Sequence, residues 1–136
     1  MSTLEEIRNR FKNDRFATNA TGIVIDSAEP GKSVCSLTLE DRHMNDNNVP
    51  MGGAIFTLAD FACAVAANGY SEKNTVSQQA SITFLAPAKG GRLIAEAACL
   101  REGHTTALYA VDVRDELDTY VAHVTVNSYV IRQQEK

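Results

Sequence analysis

The apolar positions of this chain fall into two periods. Near the start Leu4, Ile7 and Phe11 lie three and four apart, one stripe of a helix, and Thr3 precedes Glu6 at capping-box spacing. This predicts a surface helix over 3–16. Two strand-like runs follow, 21–27 and 33–40, joined by a turn through Pro30, Gly31 and Lys32. A polar loop, 41–48, then leads to a long apolar run over 50–68, opened by proline and closed by Asn68-Gly69, the marks of a buried helix. The second half keeps period two. In 76–85, Val76, Ala80, Ile82 and Phe84 are predicted on one face and Ser77, Gln79, Ser81 and Thr83 on the other. Leu93, Ala95, Ala97 and Cys99 share a face of 93–101; Ala107, Tyr109, Val111 and Val113 share one of 105–115. In 120–131, Ala122, Val124, Val126 and Val130 oppose His123, Thr125 and Asn127, and 132–136 is a polar tail. The short connections make these strands antiparallel. The pattern predicts an α+β fold in which a curved antiparallel sheet of five to six strands wraps a hydrophobic helix.

At 136 residues the chain is expected to form a single domain, 1–136. Its 13 basic and 17 acidic side chains leave a net charge of -4, which argues against nucleic acid as a partner. Cys35, Cys63 and Cys99 are odd in number and form no CxxC pair, so neither a disulfide framework nor a zinc ribbon is expected. His43, His104 and His123 lack metal-ligand spacing, and no metal is expected. The opening MSTLEEIRNRF has acids where a signal peptide would be apolar, which predicts a cytoplasmic protein with reduced thiols. Between 47 and 71 the only charge is Asp60. A carboxylate there, with Pro50 and two glycines at the start, argues for a buried helix in a soluble fold and against a membrane span.

The stretch from Asn45 to Asp60 holds the candidate chemistry. Gly52 and Gly53 enter a helix at a cost in stability. They either permit tight helix-on-sheet packing or leave backbone N–H groups open to an oxyanion at the helix start. Asp60 lies mid-helix with Thr57, Cys63, Ala64 and Ala67 on its face. It is either a carboxylate held by backbone amides or a partly desolvated general base, and the nearby glycine pair favours the base. Cys63, one turn away, reads as core filling. Eight residues of helix separate Gly52 from Asp60 by about 12 Å, too far for both to act on one carbonyl from one chain. If both act, the second comes from another copy, which calls for a homodimer with two equivalent sites.

The run Asn-x6-Gly-Gly-x4-Leu-Ala-Asp resembles the signature of the hot-dog-fold acyl-CoA thioesterases, especially their phenylacetate-pathway-type branch. The resemblance covers nearly the whole chain and extends to Phe84-Leu85-Ala86-Pro87-Ala88 and Arg101-Glu102-Gly103-His104. It implies a hot-dog fold, with Asp60 as base or nucleophile and the Gly52 amide, beside Gly53, polarising the thioester carbonyl. Asn45 takes the place of a loop asparagine and Ser77 that of a hydroxyl on the strand after the helix. The chain departs at Met51, where histidine is usual, and at Asn48, where glycine is frequent. Coenzyme A would bring its phosphates to basic groups, for which Lys89, Arg92, Arg101 and His104 are candidates; their alternative reading is a solvated surface.

The expected function is hydrolysis of a small or aromatic acyl-CoA, without a cofactor beyond the substrate's own coenzyme A. The expected assembly is a homodimer, or a tetramer built as a dimer of dimers. The alternatives are a non-catalytic acyl-CoA binder of the same fold and a hydratase, the latter wanting a histidine that Met51 replaces. Phe56, Phe61 and Tyr70 are candidates for setting pocket depth.

Overall fold

The computed structural model describes residues 3–71 and 74–131; the polar tail expected at 132–136 lies outside them. Helix α1, Leu4–Phe11, begins as expected, with Thr3 and Glu6 closing a capping box. It ends five residues before the expected end. A separate π-helix, Phe16–Thr21, follows and stops at Gly22, whose φ of 91° is a left-handed cap. The apolar stripe explains the break: Ile7 and Phe11 are buried under α1, whereas Phe16 falls off their spacing and is exposed.

Strands β1 (Val24–Glu29) and β2 (Lys32–Thr38) form a hairpin. Helix α2, Gly52–Asn68, comes next, then β3 (Asn74–Phe84), β4 (Arg92–Glu102), β5 (Thr106–Asp115) and β6 (Tyr120–Ile131). All pair antiparallel in one six-stranded sheet of order β1-β2-β4-β5-β6-β3. Hence β3, although sequential to β4, stands at the far edge beside β6. The 85–91 connection crosses the end of two strands, roughly 15 Å, which seven residues reach easily.

Helix α2 lies on the inner face of the sheet. Leu58, Ala59, Ala62 and Val65 are fully buried against Leu37, Leu93, Ala95, Val111, Val113, Val124 and Val126. Its small residues let the backbone approach closely enough for the Ser33 hydroxyl to donate to the Ala62 carbonyl at 2.6 Å. No helix among the described residues is long and apolar enough to cross a membrane. Cys35, Cys63 and Cys99 are free thiols.

The faces predicted for β4, β5 and β6 are those observed. That of β3 needs one correction. A bulge between Ser77 and Gln79 shifts the register, so Ser77 pairs with the buried Ser128 while Val76 pairs with the exposed Tyr129. Ser77 therefore faces α2, with Ala80 and Ile82, and Val76 faces away.

The 85–91 connection is pinned from the β5–β6 turn. Asp115, 2% exposed, accepts backbone N–H groups of Lys89 (2.8 Å), Gly90 (2.9 Å), Leu117 (3.0 Å) and Thr119 (2.8 Å). Burial opposes its ionisation, but these amide donors outweigh that and hold the carboxyl well below the usual carboxylate range. Glu116 accepts from Gly91 and Arg92 beside it.

Candidate active site

The loop into α2 is built from backbone-directed side chains. His43, buried, accepts the Glu40 N–H at Nδ1 (2.9 Å), so its other nitrogen carries the proton donated to the Thr21 carbonyl (2.7 Å). Its carbonyl in turn accepts from Met51 N–H at 2.8 Å. Asn45 Oδ1 accepts from Asn47 and Val49 N–H at 2.9 and 3.3 Å, an Asx turn that shapes the loop. Asn48 takes φ 58°, a left-handed conformation that asparagine tolerates. Its departure from glycine therefore preserves the turn.

Met51 is the N-cap of α2 and has no capping side-chain bond; its carbonyl accepts from Ala54 and Ile55. The N–H groups of Gly52 and Gly53 meet no acceptor among the described residues, as the first turn of a helix requires. The two glycines have different reasons to lack a side chain. A Cβ on Gly52 would stand 2.9 Å from the Phe84 ring, so helix-on-strand packing needs it. A Cβ on Gly53 would meet nothing within 4 Å, so that glycine faces open space. This space is a cavity of about 430 Å³ whose wall includes Phe16, Met51 and Thr57.

Asp60, half-buried, opens on a second cavity of about 490 Å³, walled by Arg10, Asn13 and Asp14 before the π-helix and by Ser77 on β3. The bulge aims the Ser77 hydroxyl at Asp60 Oδ1, a long 3.5 Å contact. Burial pushes the Asp60 carboxyl above its ordinary value; Ser77 partly opposes this and the negative charge of Asp14 adds to it. A carboxyl so placed can take a proton from water near neutral pH. The two cavities share no wall residue, as the 12 Å estimated from the helix rise leads one to expect.

The four basic candidates are not brought together within one protomer. Lys89 and Arg92 stand at the end of the sheet near the start of α2; Arg92 is paired with Asp26 at 3.3 Å and Ser36 at 3.0 Å. Arg101 and His104 are exposed at the β4–β5 hairpin, at the opposite end of α2. Cys63 is buried and its thiol is pushed up to about 12, which suits core filling. Of the depth candidates, Phe61 packs edge-on against Phe11 in the core, and the Tyr70 hydroxyl donates to the Ala28 carbonyl. Neither lines the two cavities. Asp14 and Phe16, which do, were hidden in the sequence inside an apparently continuous helix; the signal was Phe16 lying off the stripe of Ile7 and Phe11.

The model of the thioesterase superfamily matches residues 47–122, more than half of the chain and the whole of α2. Acyl-coenzyme A thioesterase PaaI of Escherichia coli K12 is 32% identical over 113 residues, 82% of this chain and 79% of that protein. Human acyl-coenzyme A thioesterase 13 is 31% identical over 118 residues, 85% of this chain and 84% of that one. The solved structure of the E. coli PaaI protein superposes with a TM-score of 0.83 at 26% identity, covering 97% of this chain and 99% of that chain. The chain belongs to the thioesterase superfamily and is a thioester hydrolase of the hot-dog fold.

Proposed function

We propose that the chain hydrolyses acyl-CoA thioesters at a site shared between two copies, with Asp60 of one as base and the Gly52 N–H of the other as oxyanion donor. The observation that carries this is Asp60: a carboxyl raised by burial, on an otherwise uncharged helix, opening on a cavity beside a hydroxyl. The names of the E. coli and human relatives support coenzyme A thioesters as the substrate class.

A second copy is supported by β3. This edge strand runs eleven residues without a charged side chain or a proline, the devices that normally block pairing. Antiparallel pairing of two β3 strands centred near Ser81 sets Ala80 of one opposite Ile82 of the other and, across the bulge, Ser77 opposite Phe84, each pair on the α2 face. Asp60 lies beside Ser77, and Gly52 lies beneath Phe84. One copy's carboxyl then stands next to the other copy's helix start.

In the reaction, Asp60 takes a proton from water as the water oxygen bonds to the acyl carbon. The carbonyl oxygen gains negative charge and is stabilised by the Gly52 N–H at the positive end of α2. Collapse of the tetrahedral intermediate breaks the carbon–sulfur bond and releases coenzyme A thiolate and the acid. Ser77 orients the Asp60 carboxyl, and Asn45 acts through the loop it shapes. Phosphate contacts by Lys89, Arg101 and His104 belong to this proposal, as does a cytoplasmic location that keeps the thiols reduced.

Thiol release from acyl-CoAs tests it. Asp60→Asn is expected to lower kcat about a thousandfold. A raised carboxyl pKa is a net cost to folding at neutral pH, so the same variant is expected to melt higher, on the order of 2 °C. Undiminished turnover by the variant removes the base assignment; a wild type that releases no thiol but binds acyl-CoA favours the non-catalytic binder.

A further inference from the structure

The cavity at the start of α2 has a chemical character of its own. Phe16 is 69% exposed and Met51 57% exposed, two large apolar side chains that line the same cavity as Gly53, whose N–H meets no acceptor among the described residues. Several of the polar groups around them already have partners. The Thr57 hydroxyl donates to the Gly53 carbonyl at 2.8 Å. The Arg42 guanidinium donates to the Ala20 carbonyl and to Glu40 Oε1. Both ring nitrogens of His43 are bonded to backbone. What is left for a ligand is a mainly apolar wall and the Gly53 N–H, with that of Gly52 next to it in the chain. The ligand this wall suits best is apolar with one acceptor oxygen at the helix start. The Asp60 cavity is the reverse, since Asn13, Asp14, Asn74 and Ser77 give it a polar wall that suits water.

We propose that Phe16, with Met51, is the specificity-determining wall of the site: it seats an apolar acyl group whose carbonyl oxygen rests on the α2 amides. This rests on the acyl-CoA reading above and adds the acyl class, a hydrocarbon chain or ring, and the residue that selects it. It also gives Met51 a role in place of the usual histidine, because an unbranched thioether adapts to apolar groups of varied shape. Phe16 reaches this position because the π-helix turns it away from the core that its neighbour Ala17 enters.

Binding tests the proposal without depending on which residue is the base. The probes are ketone analogues of acetyl-CoA and octanoyl-CoA, in which a methylene replaces sulfur so that the carbonyl stays and hydrolysis is blocked. By calorimetry, Phe16→Ala is expected to weaken the octanoyl analogue about tenfold and leave the acetyl analogue within twofold. Phe16→Leu is expected to recover most of the loss. Phe16 is exposed, so neither change opens the core. Equal weakening of both analogues, no weakening of either, or a change of oligomeric state accompanying the loss would overturn the role of Phe16 alone. A wild-type chain that binds neither analogue would overturn the acyl-CoA reading with it.

Discussion

Asp14 and Asp60 line the same cavity, and nothing in the apolar periodicity of α2 announces that a second carboxylate faces the first. Burial is the larger cause of the raised Asp60 pKa, and the charge of Asp14 adds to it. The other ionisable groups on the cavity are Arg10, whose guanidinium donates to the Asn68 carbonyl at 2.5 Å, and the thiol of Cys63. A base works only when ionised, so on the proposal that Asp60 is the base, activity is expected to fall as the pH drops through its pKa. Asp14→Asn removes a charge that disfavours ionisation, and the acid limb of kcat/KM is expected to move to lower pH. A limb that stays put or moves up would show that Asp14 does not act on Asp60. At this scale Asp60, Gly52 and Gly53 were legible in the sequence because each is costly where it stands. The aim of Ser77 was not legible from alternation, since one bulged residue reverses which face it occupies; only the family resemblance pointed to it.

Among the elements, the 85–91 connection is irregular and yet pinned by Asp115 and Glu116. It leaves β3 at Phe84, the side chain that meets Gly52, so its anchorage bears on the start of α2. Asp115 bonds two of its amides and two of its own turn. The folded carboxyl titrates below the unfolded one, so its stabilisation is present above about pH 4 and is lost as pH falls through the depressed value. Asp115→Asn is expected to cost about 2 kcal/mol in urea unfolding at pH 7, with a gap that narrows under acid. A gap that does not change with pH would show that the charge is not what holds the loop. Every strand and the long helix were legible as elements, because burial on one face imposes a period on the residues. The placement of β3 beside β6 was not, since a short connection limits distance and leaves the choice of neighbour open. The π-helix was not either: its one large apolar side chain points outward and leaves no periodic trace.

For the whole molecule, the question is whether one protomer is a complete catalyst. Asp60 and Gly53, the neighbour of the proposed oxyanion donor, open on separate cavities, and the uncharged β3 edge offers a surface on which a second copy would bring the two ends of α2 together. Two inactive variants can ask this together. Asp60→Asn removes the proposed base. Gly52→Pro combined with Phe84→Ala removes an N–H at the first helical position, where proline is tolerated after a Met51 already extended at φ -66°, ψ 141°, and the second change clears the ring that a Cβ at 52 would meet at 2.9 Å. Each alone is expected to lose at least a hundredfold in kcat. Refolded together from equal amounts, half of the dimers contain one chain of each kind, and in these one site carries both defects and the other none. Thiol release by the mixture is then expected to recover to about a quarter of wild type. Activity that stays at the level of the two variants measured separately would contradict a site shared between copies.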